Sequence, residues 1–131
     1  MKILEQRITQ FLKFSGIGTL GFLTDSGVFY ICNLLLGNFY SRLISFFIAV
    51  VFTYIFNKRV TFNIEKSECF WKEFPAYFCS MIAGGLVNLL MFFILVYFYN
   101  FFSERQLLAI AIGSLSGLSI NFLLSLKIFK K

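Results

Sequence analysis

The sequence has no histidine, a single proline and few charges, with 14% of its residues charged against 59% apolar. A water-soluble domain carries about 25% charged residues. Without histidine, and with three cysteines at separated positions, the chain offers no clustered metal ligands and no Cys–His or Ser–His pair for nucleophilic catalysis. A glycine-rich phosphate loop ending in Gly-Lys-Ser or Gly-Lys-Thr is also missing. We therefore expect no metal, no cofactor and no catalysis.

The few charges are segregated along the chain. Residues 43–57, 74–103 and 106–126 hold none, and residues 14–41 hold only Asp25. Uncharged runs of 15, 30 and 21 residues cannot all be buried inside a fold of 131 residues, so they must face lipid. The sequence predicts an all-α integral membrane protein with a single domain, residues 1–131, and excludes a soluble enzyme or nucleic-acid-binding module. The predicted transmembrane helices are 14–36, 43–58, 75–99 and 106–126, with a loop at 59–74.

The distribution of cations predicts the topology. Ten of the twelve lysines and arginines lie in the amino-terminal segment, the middle loop and the carboxyl-terminal tail, and only Arg42 and Arg105 lie in the other two loops. By the positive-inside rule, both termini and the middle loop are cytoplasmic in a multi-pass protein of the cell membrane. The net charge of +6 suits contact with anionic membrane lipids and needs no nucleic acid. Residues 2–13 alternate apolar and basic positions at helical spacing, which predicts an interfacial helix before the first span.

An internal repeat relates the two halves of the chain. A shift of 63 residues places Gly21 on Gly84 and Asp25 on Asn88, and a shift of 68 places the second helix on the fourth. The second shift pairs Ser45 with Gly113, Ala49 with Gly117, Thr53 with Asn121, Asn57 with Ser125 and Arg59 with Lys127. These positions are four apart and line one helix face. The pattern predicts two helical hairpins in parallel repeat, with small residues that let the helices pack closely.

Asp25 is the first candidate for a functional residue. It lies about eleven residues into the first helix, which places it about 16 Å along the axis, near the bilayer centre. A carboxylate there costs on the order of 2.5–3.5 kcal/mol on insertion scales. Gly18, Gly21 and Asp25 share a helix face, so we expect the carboxyl group to point into the bundle. It is either a substrate-binding group or a polar contact between helices.

Other candidates lie near the ends of the second and fourth helices and inside the apolar runs. Asn57, Lys58 and Arg59 form a polar cluster that could hold a phosphate, because arginine offers a planar fork and lysine a point charge. The positive-inside rule alone also predicts cations at this cytoplasmic end of the second helix, whether or not they bind a ligand. Two further candidates, Asn88 and Asn121, are neutral amides within apolar helices, where such groups by default form hydrogen bonds between helices. The last candidate is Lys127, a cation at the end of the fourth helix.

Three sequence pieces together resemble the GtrA-like family. The segment from Phe11 to Thr19, followed by Asp25, is similar to the family's opening. The sequence Asn57-Lys58-Arg59-Val60-Thr61-Phe62 resembles its Asn-Arg-Arg-aromatic-x-Phe signature, and Asn121-Phe122-Leu123-Leu124-Ser125 resembles its fourth-helix motif.

The resemblance implies a small, non-enzymatic four-helix protein of cell-surface polysaccharide glycosylation. Such proteins translocate a polyprenyl-phosphate-linked monosaccharide, such as undecaprenyl-phosphate-glucose, to the outer leaflet, where a membrane glycosyltransferase of the same pathway uses it. Lys58 and Arg59 would then receive the phosphate, while Asp25, Asn88 and Asn121 would bond sugar hydroxyls. Because four short helices enclose little volume, a homodimer is a further expectation.

Two other functions compete with this interpretation. One is a proton-coupled exporter of small cations resembling small multidrug resistance proteins, although excess cations at a cytoplasmic mouth disfavour a cationic substrate. The other is a non-transporting subunit that anchors or stabilises a glycosyltransferase.

Overall fold

The computed structural model describes residues 1–65 and 69–129, without the side chains of residues 38, 39, 42, 106 and 107. Its elements are α1 (Lys2–Phe56), a π-helical turn (Asn57–Thr61), α2 (Phe70–Phe98), α3 (Asn100–Ser103) and α4 (Gln106–Phe129). Among the described residues, four segments are long and apolar enough to cross a membrane. We call these the first to fourth spans: Lys2–Gly37, Leu43–Thr61, Phe70–Phe98 and Leu108–Phe129. The prediction of an all-α protein with four membrane-length helices is confirmed.

The chain forms two compact units, Met1–Phe70 and Trp71–Lys131, each holding two spans. We call them the first and second hairpins. In the first hairpin, α1 is interrupted at Gly37, whose φ of 74° and ψ of 169° are not helical. A residue with a side chain rarely adopts this positive φ, so glycine allows the chain to reverse here. The Ser41 hydroxyl donates a hydrogen bond of 2.6 Å to the Gly37 carbonyl just beyond the reversal.

Contacts along the first hairpin show that its spans run antiparallel. Near the open end, the rings of Phe14 and Phe62 meet edge to face with centroids 6.5 Å apart. Closer to the reversal, Gly21 lies directly against the Thr53 side chain. The absence of a glycine side chain lets the two helices approach closely, as small residues do where lipid supplies no hydrophobic drive for association.

The helices extend beyond the predicted limits. The first begins at Lys2 and runs without a break to Gly37, so residues 2–13 continue the first span. Its 36 residues are about 54 Å long, against a hydrocarbon core of about 30 Å, which leaves its amino-terminal third for the interface. The fourth ends at Phe129. Residues 66–68 of the predicted loop, and the terminal lysines 130 and 131, lie outside the described part.

The helix of the third span, α2, begins at Phe70. We expected it to begin at Pro75, with the proline in its first turn. Proline has no N–H to donate, and at this position it removes one bond to the carbonyl of Trp71. Trp71 is largely exposed, so the missing bond lies at the surface of the protein and not in its interior. The helix therefore tolerates Pro75 in its second turn.

The second hairpin repeats the close contact of the first. Gly84 lies against the Asn121 side chain and the Gly117 carbonyl, and Gly113 lies against Asn88. The ring of Tyr77 meets that of Phe129 with centroids 5.8 Å apart. These contacts likewise join the early part of α2 to the late part of α4, so the two helices are antiparallel.

Equivalent positions make equivalent contacts in the two hairpins, as the repeat predicts. The contact of Gly21 with Thr53 corresponds to that of Gly84 with Asn121 after shifts of 63 and 68 residues. Burial follows the same correspondence at other paired positions: Ser45 and Gly113, Ala49 and Gly117, and Asn57 and Ser125 are all buried. The repeated stripe is thus the packing face of each hairpin.

The helix faces opposite these packing faces carry large, exposed apolar side chains. Leu35, Tyr97 and Phe98 are 88%, 78% and 79% exposed. Exposed apolar surface on this scale is costly in water and favourable in hydrocarbon. The chain is therefore a membrane protein.

Candidate functional site

Asp25 lies in the packing face of the first hairpin. It follows Gly21 by one helical turn and is 9% exposed, so its carboxyl group is turned away from lipid. Thr53, which contacts Gly21 from the second span, is also buried. The first hairpin thus holds a carboxyl group on the face where its two helices pack, as expected from the position of Asp25 relative to Gly21.

The end of the second span carries the polar cluster in a widened turn. Residues Asn57–Thr61 are π-helical, a rare form that occurs mostly as single turns and frequently at functional sites. The Thr61 hydroxyl donates a hydrogen bond of 2.9 Å to the side-chain oxygen of Asn57, which is 1% exposed. Because Asn57 is enclosed and bonded within its own turn, it holds the shape of this helix end.

Lys58 turns inward toward the aromatic ring one helical turn before it. Its side chain is 6% exposed, and its ammonium nitrogen lies 3.4 Å from the Tyr54 hydroxyl oxygen and 5.6 Å from the ring centroid. The arrangement combines a long hydrogen bond with a cation–π contact. Tyr54 is itself buried and meets the ring of Phe70 edge to face at 5.4 Å. Lys58 is therefore a cation held inside the protein.

A left-handed residue turns the chain back after the helix ends. Asn63 has a φ of 57°, and the N–H of Ile64 donates a hydrogen bond of 3.0 Å to the Lys58 carbonyl. The arrangement resembles a Schellman cap with asparagine at the left-handed position, but the bond reaches one carbonyl further back than in that cap because the last turn is π-helical. The cap directs Ile64 and Glu65 back alongside the helix end.

A partly open cavity of about 200 Å³ lies at this helix end. Its charged lining groups are Lys58, Arg59 and Glu65, and the others are aromatic or aliphatic: Tyr54, Ile55, Ile64 and Phe70. The cavity thus offers two cations that can form charge-assisted hydrogen bonds, one carboxylate that can accept them, and aromatic and aliphatic surface.

The two amides of the second hairpin lie against glycines. A Cβ built on Gly113 would lie 2.6 Å from the side-chain oxygen of Asn88, and one built on Gly84 would collide with that of Asn121. Within the described part of the chain, the Asn121 oxygen accepts no hydrogen bond. Both amides occupy places where the helices are in direct contact, which leaves little room for a ligand there.

The predicted site residues are therefore distributed over both hairpins. Lys58 and Arg59 line the cavity, Asn57 supports it, and Asp25 lies deeper in the same hairpin. Asn88, Asn121 and Lys127 belong to the second hairpin, where Lys127 is exposed near the end of the fourth span.

Sequence reasoning missed several residues that shape this site. Tyr54 and Thr61 were not singled out, although they stand four residues before Lys58 and four after Asn57, the spacing at which helix neighbours meet. Glu65 and Phe70 had no such signal. Glu65 lines the cavity because the chain reverses at Asn63, and Phe70 lines it from the first residue of α2.

Comparison with protein families finds a match to the GtrA/DPMS transmembrane domain over residues 13–129. Comparison with curated proteins and with solved structures finds no match. The matched region covers every residue that lines the cavity, the second, third and fourth spans, and the first span from Lys13 onward. The chain belongs to the GtrA/DPMS transmembrane-domain family, whose members are membrane proteins related to polyprenyl-phosphate-sugar lipids.

Proposed function

We propose that this protein translocates a polyprenyl-phosphate-linked monosaccharide, such as undecaprenyl-phosphate-glucose, from the inner to the outer leaflet of the cytoplasmic membrane. A membrane glycosyltransferase would then use the sugar for cell-surface polysaccharide. The observation that carries the proposal is the inward-facing Lys58 in a cavity at the end of a membrane-length helix. The proposal includes cytoplasmic termini, which would open this cavity toward the leaflet where the lipid is made, and a homodimeric assembly.

The charges of the cavity suit a phosphate. Charge-assisted hydrogen bonds are roughly twice as strong as neutral ones, and their strength rises as water is excluded. Lys58 is held inside by Tyr54 and would bond the phosphate from an enclosed position, while exposed Arg59 would bond it from the open side. A phosphate between the two would be gripped by one point charge and one planar fork.

The apolar part of the lining suits the rest of the lipid. The rings of Tyr54 and Phe70 offer surface against which a sugar can stack, and Ile55 and Ile64 continue that surface as aliphatic wall. The cavity is too small for a polyprenyl chain, which would stay in the bilayer alongside the exposed apolar faces of the spans. The protein would thus shelter only the polar headgroup and perform no bond-making chemistry.

Asp25 is the group in this proposal that a headgroup would meet on its way across. Its buried carboxylate, on the packing face of the first hairpin, can accept hydrogen bonds from sugar hydroxyls. Asn88 and Asn121 fit helix packing better than ligand binding, because their side-chain oxygens are pressed against Gly113 and Gly84.

A leaflet assay in liposomes tests the proposal. The purified protein is reconstituted with a fluorescent short-chain polyprenyl-phosphate-glucose, and arrival in the outer leaflet is followed by quenching from outside. We expect Lys58→Gln to slow translocation at least tenfold, about 1.4 kcal/mol of barrier. Lys72→Gln is the matched control, because Lys72 is exposed and does not line the cavity. Lys58→Arg keeps the charge and should retain most of the activity, which separates loss of charge from misfolding.

The outcomes distinguish the proposal from its rival. Equal slowing by Lys58→Gln and Lys72→Gln would mean a general effect of surface charge. Liposomes with wild-type protein that translocate no faster than empty ones would overturn transport, and would favour a subunit that anchors a glycosyltransferase.

A further inference from the structure

Glu65 places a negative charge on the wall of a cavity whose other charged lining groups are cations. The described lining contains Lys58, Arg59 and Glu65, so its formal charge is one positive unit and not two. A site built only to attract phosphate would gain nothing from this carboxylate, because it repels every anion that enters. The charge balance therefore bears on which phosphate the cavity accepts.

Phosphate groups of carrier lipids differ in charge. A phosphodiester, in which the phosphate joins the isoprenoid to a sugar, carries a single negative charge. A phosphate monoester carries about −1.5 to −2 at neutral pH, and a diphosphate carries more. Two cations alone attract the more highly charged ligands more strongly. A neighbouring carboxylate repels each negative charge on the ligand and so offsets part of the advantage of the monoester and the diphosphate.

We propose that Glu65 shifts the selectivity of the cavity toward the singly charged phosphodiester headgroup and away from the corresponding monoester and diphosphate. This inference rests on the proposed function and names the charge state of its substrate. The carboxylate would also accept hydrogen bonds from sugar hydroxyls, which only the sugar-bearing lipid supplies. The cavity would then distinguish a carrier loaded with sugar from the same carrier after the sugar has been removed.

Binding to the detergent-solubilised, full-length protein at neutral pH tests the inference. The two main probes are geranyl phosphoryl glucose, a diester, and geranyl phosphate, a monoester, so that the isoprenoid is the same in both. Wild-type protein should bind the diester more tightly. Glu65→Gln should narrow this preference about fivefold, the effect of one charge–charge contact in a largely hydrated setting. Glu5→Gln is the control, since Glu5 is exposed in the first span and does not line the cavity.

Two further measurements separate failure of the inference from failure of the proposed function. Lys58→Gln should weaken binding of both lipids, and methyl phosphoryl glucose, a soluble diester, should bind more weakly than the lipid diester. Binding of both lipids that depends on Lys58, with a preference unchanged in Glu65→Gln, would overturn the role of Glu65 alone. Binding of neither lipid, or equal binding of the soluble diester, would overturn the lipid site and this inference with it.

Discussion

The closest helix contact of the second hairpin can be tested with two neighbouring glycines. A Cβ added to Gly84 would lie 2.6 Å from the carbonyl oxygen of Gly117 and would collide with the Asn121 amide. A Cβ added to Gly85 would meet nothing within 4 Å. Gly84→Ala therefore forces the helices apart, whereas Gly85→Ala leaves them in place.

The comparison isolates the steric effect. Each change replaces glycine by alanine in the interior of α2, so the gain in helix propensity, about 1 kcal/mol, is common to both. Overpacking of a close contact costs about 1–3 kcal/mol. Because the Gly117 oxygen belongs to the backbone and cannot rotate away, we expect Gly84→Ala to be less stable than Gly85→Ala by that amount.

Unfolding by sodium dodecyl sulfate in mixed micelles, followed by far-ultraviolet circular dichroism, measures this difference. The midpoint for Gly84→Ala should fall well below that for Gly85→Ala, which should match or exceed the wild-type midpoint. Indistinguishable midpoints for the two variants would refute the close approach of α2 and α4 at Gly84.

Three further predictions concern the first hairpin and the topology. Gly21→Ala should destabilise the protein less than Gly84→Ala in the same unfolding assay, because the nearest backbone atom to the added Cβ lies 4.0 Å away and the threonine side chain in its path can adjust; a larger loss would contradict this. Asp25→Asn should insert and fold normally yet lower translocation at least about tenfold, since an ionised acceptor bonds about twice as strongly as a neutral one; wild-type rates at equal protein would assign the carboxylate to helix packing. In a variant whose native cysteines are replaced by serine, an impermeant maleimide added to intact cells should label Ser103→Cys and leave Glu68→Cys unlabelled, and labelling of the latter would reverse the predicted topology.

The four spans and their pairing could be predicted from the sequence because lipid imposes a simple rule. Uncharged runs of sufficient length must be helices, and small residues four apart mark where helices meet. The repeat identified Gly21 and Gly84 as equivalent, and the structure gives both the same kind of neighbour. Helix ends were less predictable. The basic amphipathic pattern of residues 2–13 predicts a separate interfacial helix, whereas in the structure these residues continue the first span.

The cavity could not be predicted in the same way, since it depends on a local reversal of the chain. Cations at a helix end are expected from topology alone, and nothing in the pattern shows whether Lys58 faces outward or folds onto Tyr54. The left-handed conformation of Asn63 brings Glu65 to the site. Asparagine after a helix is compatible with this turn without requiring it.

Each hairpin also closes with residues from one continuous stretch of chain, which has a consequence for biogenesis. The outermost ring contacts join Phe14 to Phe62 and Tyr77 to Phe129. The partners of the first contact have both been synthesised before the second hairpin begins at Trp71. Membrane insertion can therefore proceed in two steps, in each of which one hairpin inserts with the contacts between its two helices already formed. A truncated chain ending after Phe70 should accordingly integrate as a helical pair during synthesis.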